Sequence, residues 1–362
     1  TYRDSNANAT QGNRVVTLTS VKDSGGTSNG GVDTTVLALA STVRVAVVPV
    51  VTTSGGSAAF VAGDNTASTP VVVDGGIIVT DAASSTLASG TVRISGNFQA
   101  GEDVLAFVNN NSTSYGNIVA SYNAGTGVLT LTSAGSTATL AQWQAALRAV
   151  TYTDTAVTPQ AATRTISFQV NDGNASSSVV TRSVTVTPVD QTPIAPSSGG
   201  SAAFTAGDNT ASTPVAVDPG LTLSDLDNAT LASATVSITG NFQSGQDVLA
   251  FSNTNSTSYG NIVASYNAAT GVLTLSSAGG TATLAQWQAA LRAVSYTDTA
   301  VTPNTATRTL SFQVNDGVKD SAVATRTLTV AATDQTPVLT ASGSSGSFLL
   351  GGAAVPVDGG LT

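Results

Sequence analysis

The residues of this chain that could do chemistry are its aspartates. Histidine, cysteine and methionine are absent from all 362 residues, which removes imidazole bases, thiol nucleophiles, disulfides and the usual zinc and copper ligands together. Hard oxygen donors remain, and calcium, which takes about six to eight of them, is the one cofactor this inventory permits. The best donor set is Asp225, Asp227, Asp316 and Asp334, with Asp81, Asp172 and Asp190 as corresponding acids elsewhere in the chain. On a strand, Asp225 and Asp227 would project from one face, so their charges repel unless a cation or a turn separates them. A linker aspartate and the aspartate of Asn315-Asp316-Gly317 would then complete the shell and stiffen a joint. The alternative is that Asp172-Gly173 and Asp316-Gly317 only make hairpin turns, with the linker aspartates capping loops. Because Asp227 corresponds to Ala83, calcium content is expected to fall from the later copy to the earlier one.

Other chemistries find no footing. Glu102-Asp103 could suggest a glycosidase, which needs two carboxylates facing each other across about 5–9.5 Å. Neighbours on a strand point to opposite faces, and the matching copy reads Gln246-Asp247. No nucleophile elbow, phosphate loop or dinucleotide fingerprint occurs, so no catalytic residue and no enzyme is expected. The 12 Lys and Arg against 21 Asp and Glu, a net charge of −9, leave no basic cluster for nucleic acid or an anionic membrane surface. No uninterrupted apolar stretch of about 18 residues is present, so no membrane insertion is expected in this segment.

The elements that position the aspartates are set by an internal repeat. Trp143 recurs as Trp287 and Phe60 as Phe204, a period of 144 residues, and residues 57–193 align without a gap on 201–337 with 102 of 137 positions identical. A third copy starts near Ser342, and Thr1-Tyr2-Arg3-Asp4 with Arg14 reads like Thr151-Tyr152-Thr153-Asp154 with Arg164. The expected organisation is residues 1–53 as the second half of a repeat, 54–197 and 198–341 as complete repeats, and 342–362 as the start of another. Neither partial copy should fold alone, since each leaves strand edges unpaired and an apolar face wet.

Within a repeat the hydrophobic period is two. Leu310, Phe312 and Val314 alternate with Thr309, Ser311 and Gln313, as half-buried strands do. About nine short strands, including 221–224 and 262–266, separated by Gly, Asn, Asp and Pro, indicate an antiparallel sandwich. Residues 267–271 read as a five-residue hairpin loop. One segment departs from this pattern: Leu284, Trp287 and Leu291 fall at helical spacing behind Thr283 as N-cap, giving one short helix per copy whose tryptophan plugs the core, the alternative being an aromatic platform for sugar stacking.

Several of these stretches together resemble the cadherin-like repeats of giant bacterial surface adhesins: Leu221-Thr222-Leu223-Ser224-Asp225-Leu226-Asp227, Ile238-Thr239-Gly240-Asn241-Phe242, Leu284-Ala285-Gln286-Trp287-Gln288-Ala289-Ala290-Leu291, Val314-Asn315-Asp316-Gly317 and Asp334-Gln335-Thr336-Pro337. The resemblance implies tandem immunoglobulin-like sandwiches in a long extracellular array, often secreted by a type I system and often holding calcium at domain junctions. The chain departs from that pattern in its linkers, Asp190-Gln191-Thr192-Pro193 and Asp334-Gln335-Thr336-Pro337, where the family commonly has Asn-Asp-x-Pro, and at Ala83. The expected function is a structural stalk or matrix fibre at the cell surface, with neighbouring repeats or identical chains as partners. Alternatives are a filament subunit joined by strand addition and a module that binds surface glycans or other cells.

Overall fold

The computed structural model describes residues 1–6, 10–343 and 345–361. It divides into two compact units, Thr1–Val189 and Asp190–Thr362. The first contains β1 (Gly12–Lys22), β2 (Thr34–Val45), β3 (Val50–Thr52), β4 (Ser57–Val61), β5 (Val71–Val72), β6 (Ile78–Thr80), β7 (Ser89–Gly96), β8 (Asp103–Ala106), β9 (Ile118–Asn123), β10 (Val128–Ser133), β11 (Thr151–Asp154), β12 (Arg164–Asn171) and β13 (Val180–Thr187), with helices α1 (Ser112–Tyr115) and α2 (Leu140–Arg148). A sheet ordered β4-β13-β12-β7-β10-β9 faces a smaller one ordered β5-β11-β8.

The second unit repeats the plan with β14 (Ser201–Thr205), β15 (Val215–Ala216), β16 (Ser233–Gly240), β17 (Asp247–Ala250), β18 (Ile262–Asn267), β19 (Val272–Ser277), β20 (Ser295–Asp298), β21 (Arg308–Asn315) and β22 (Ala324–Ala331), and with α3 (Ser256–Tyr259) and α4 (Leu284–Arg292). Its sheets run β14-β22-β21-β16-β19-β18 and β15-β20-β17. Both copies are all-β sandwiches of the immunoglobulin and cadherin-like type. Among the described residues every ladder is antiparallel except β4 with β13 and β14 with β22, which are parallel.

Alternation decides which side chains enter the core. In β21, Leu310, Phe312 and Val314 are buried, and they pack with Phe204, Trp287 and Tyr296. The α4 helix starts on a capping box in which the Thr283 hydroxyl accepts from the Gln286 amide and the Gln286 side chain accepts from the Thr283 amide. Its Trp287 is fully buried, and the indole Nε1 donates to the Leu231 carbonyl at 3.0 Å, which satisfies the ring's one donor.

Three details differ from the sequence expectation. Each copy carries a second helix, a single turn at Ser112–Tyr115 or Ser256–Tyr259, because Asn111 and Asn255 side chains accept two backbone amides each and cap it. The 221–224 segment is not a strand in the second copy: only Ser224 bridges, to Ile194, where the first copy has the β3–β6 pair. The hairpin loop after β18 is four residues, 268–271, because Asn267 already pairs with Val272; it closes at Gly271, whose φ is +69° and whose amide donates to the Asn267 carbonyl at 2.9 Å. A Cβ there would lie 2.8 Å from the Phe242 ring, so glycine is required twice over.

The β1–β2 segment is an antiparallel hairpin with Val15, Leu18, Val36 and Leu39 exposed. At the other end of the chain, Ser342 donates its amide to Asp358 at 2.7 Å, as Ser198 does to Asp218 at 2.9 Å. The division between units falls at residue 190, and within the second unit the Ile194 amide donates to the Ser224 carbonyl while the Ser224 amide returns the bond.

Candidate metal centre

The linker pairing brings Asp190 to the end of the second copy where Asp225, Asp227 and Asp316 already sit. The backbone there is a set of aspartate-capped turns. Asp225 Oδ1 accepts from the Asp227 and Asn228 amides at 3.2 and 3.1 Å. Asp316 Oδ1 accepts from the Val318 and Lys319 amides at 2.6 and 2.7 Å, closing the turn after β21. The Gln191 amide donates to both oxygens of Asp227, at 3.2 and 3.1 Å, and Asn228 Nδ2 reaches Asp190 Oδ1 at 3.4 Å.

Capping uses one oxygen of Asp225 and one of Asp316, and Asn228 takes one of Asp190. Asp190 Oδ2, Asp225 Oδ2 and Asp316 Oδ2 are buried with no hydrogen-bond partner, an expensive condition for a carboxylate. Burial, with the charges of Asp316 and Asp227, pushes the Asp190 carboxyl above its ordinary range. Burial and the neighbouring Asp227 do the same to Asp225. These are hard oxygen donors held close enough to repel one another, and in chemistry they suit calcium.

Their arrangement does not close. Among the described residues no three acidic groups converge as a metal ion requires. Orphaned oxygens show available donors, whereas coordination also needs convergence, so the cluster is a donor set and not a finished cage. A cation of the chain's own stands beside it: Lys319 Nζ donates to the Asp190 carbonyl at 2.6 Å, and its charge draws the Asp190 carboxyl back down.

Asp334 is not part of this cluster. It follows β22, which runs antiparallel to β21, so it lies beyond the Arg308 end of the repeat and is exposed. Beside it Thr336 donates its amide to Asp208 at 2.8 Å.

In the first copy the corresponding positions are Ala46, Asp81, Ala83 and Asp172, with Ala175 in place of Lys319. Asp81 Oδ1 caps a turn through the Ala83 and Ser84 amides at 2.8 and 3.0 Å, and its Oδ2 is left without a partner. Burial alone would raise Asp172, but bonds from Ala175, Gln11, Asn174 and Ser84 outweigh it and hold the carboxyl below its ordinary range. Gln11 Nε2 bonds both Asp172 Oδ2 at 3.1 Å and the linker carbonyl of Val47 at 2.9 Å. This neutral amide binds the linker one residue beyond the carbonyl that Lys319 binds in the second copy, and the Arg44 guanidinium donates to the Asn174 carbonyl of the same turn at 3.0 Å.

Sequence reasoning missed a second polar assembly in the core of each copy. Arg308 Nε donates to Asp247 Oδ2 at 2.9 Å and its NH2 lies 3.4 Å from Asp298 Oδ2, all with buried side chains. Tyr296 donates its hydroxyl to Asp247 at 2.5 Å, and the Asn304 and Ala306 carbonyls accept from the same guanidinium. Arg164, Asp103, Asp154 and Tyr152 do the same in the first copy. Because Asp247 and Asp298 lie in the smaller sheet and Arg308 in the larger, the assembly staples the two layers. Glu102 takes no part in it, and Asp103 is committed to Arg164.

No protein-family model matches the chain, and no curated protein matches its sequence. Solved structures with some likeness include mouse clustered PcdhgC3 EC1-3, at 10% identity over 90% of this chain and 77% of that one with a TM-score of 0.27. The zebrafish RET cadherin-like domains 1 to 4 match at 11% identity and a TM-score of 0.22 over 83% of this chain, which spans 55% of that one. The C-terminal domain of the Streptococcus agalactiae AgI/II polypeptide BspA matches at 11% identity over 67% of this chain and 84% of that one, with a TM-score of 0.21. Likenesses this slight carry no argument, and the fold assignment rests on the strand order itself.

Proposed function

We propose that this chain is a spacer segment of an extracellular, cell-surface adhesion protein, in which sandwich repeats follow one another end to end. The observation that supports it best is the parallel pairing of first and last strands. In each copy the chain enters at one end of the sandwich and leaves at the other, which suits a linear array in which each repeat contacts its neighbours. The gapless duplication preserves that spacing, and the motif resemblance to bacterial adhesin repeats points the same way. No helix among the described residues is long and apolar enough to cross a membrane. Calcium bound by Asp190, Asp225, Asp227 and Asp316 would neutralise the junction and stiffen it.

The test is the length of the particle. Small-angle scattering of the chain, and of a version carrying one further 144-residue copy, should show the maximum dimension growing by more than the ~27 Å span of an eight-residue strand. An unchanged dimension would mean that copies pack side by side, and would sink the spacer reading.

A second reading, association of identical chains by strand addition, is favoured by the exposed apolar residues of the β1–β2 hairpin. Sedimentation across a concentration series decides it. A single monomeric species at all concentrations removes it.

A further inference from the structure

We propose that Lys319 is the resident counter-charge of the Asp190, Asp225, Asp227 and Asp316 cluster, so that the second-copy junction holds together without a metal and calcium must act against a tethered ammonium. The calcium half of this proposal rests on the junction reading above.

Two observations carry it. The first is placement. The Lys319 backbone amide is bound by Asp316 and its Nζ by the Asp190 carbonyl, so one residue spans from the β21 turn to the linker that the carboxylates surround. An ammonium held there lowers the mutual repulsion of acids whose spare oxygens have no hydrogen-bond partner.

The second is the internal duplication, which serves as a natural control. Where the second copy has Asp190, Asp227 and Lys319, the first has Ala46, Ala83 and Ala175. Both of those carboxylates and the lysine occur in one copy and none of them in the other, and Asp320, where the first copy has Ser176, adds a further acid to the same turn. A lysine that only decorated the surface would not be tied to buried-oxygen acids in this way. In the first copy the neutral Gln11 amide meets the next linker carbonyl along, that of Val47, beside a cluster with fewer carboxylates to balance.

Hydrogen exchange of the full chain in chelator tests this at the Gln191, Asp227 and Asn228 amides, which the cluster holds. Lys319→Ala should speed their exchange by about tenfold or more, the scale of one lost charge interaction. Adding Asp227→Asn, which removes a negative charge but keeps an acceptor for Gln191, should restore protection. Exchange unchanged in Lys319→Ala would overturn the proposal, as would a loss that Asp227→Asn does not repair. Calcium titrated into Lys319→Ala separates the two readings. Repair by calcium as well as by Asp227→Asn supports both. Repair by Asp227→Asn alone leaves Lys319 as counter-charge and removes calcium from the junction.

Discussion

Arg308 and Asp247 meet inside the second sandwich with the guanidinium Nε 2.9 Å from the carboxylate Oδ2, and neither side chain reaches solvent. An enclosed pair of this kind is costly to break, because the survivor is left charged and dry. Arg308→Met alone should destabilise its copy by about 3–5 kcal/mol, read by urea unfolding through the buried Trp287. Arg164→Met should do the same through Trp143. A cost below about 1 kcal/mol would show that water or a rearranged Asp247 compensates.

Alkaline pH should attack the same assembly from another side. Burial first, then the bonded and nearby Asp103, raise the Tyr152 hydroxyl far above its ordinary value, and burial with Asp103 pushes Tyr122 up to about 12. A group raised in the folded state contributes stability that is complete below its unfolded value and is lost as pH rises through the folded one. Melting temperature should therefore hold up to about pH 10 and fall steeply above it. Tyr152→Phe should flatten that fall, and an unchanged slope would remove Tyr152 from the account.

Calcium should distinguish the two copies. Thermal unfolding in calcium and then in chelator, with Trp143→Phe and Trp287→Phe chains to assign each transition, should move the second copy and not the first. Asp225→Ala combined with Asp227→Ala should abolish the shift. Equal shifts in both copies would deny Asp190 and Asp227 any special part.

The α4 helix should depend on its cap. Thr283→Ala removes the hydroxyl that the Gln286 amide bonds at 3.3 Å, at a cost of about 1 kcal/mol. Thr283→Ser should be nearly silent. Equal losses from both would assign the effect to the methyl group's packing.

The sandwich and its period were legible because strand alternation and exact spacing are local: Leu310, Phe312 and Val314 announce an inward face without any knowledge of what they touch. Trp287 was legible for the same reason, at helical phase with Leu284 and Leu291. The buried arginine was available but unread. Arg308 lies in phase with Leu310 and Phe312, so the alternation already sent a charge inward and demanded acids to meet it. The junction was half legible: Asp225, Asp227 and Asp316 come together as their turns suggest, but which linker aspartate joins them depends on the direction of β22, a long-range fact. Hence Asp190, and not Asp334, belongs to the cluster. Lys319 carried no motif at all, and only comparison with Ala175 marks it.

The parallel contact between β4 and β13 also decides how the chain answers tension. The two ends of that repeat leave in opposite directions, so a pull on them runs along the strands and loads five paired positions in shear. Arg182 adds bonds from the last strand to the Ser54 and Gly55 carbonyls at 2.7 and 3.1 Å, just ahead of the first strand. Single-molecule stretching should find a lower peak force for Arg182→Met than for the unaltered chain, and an unchanged force would place the resisting contact elsewhere. Bonds strained together must fail together, whereas a hairpin pulled from its open end peels one rung at a time. A fibre of such units would yield in discrete, all-or-none steps.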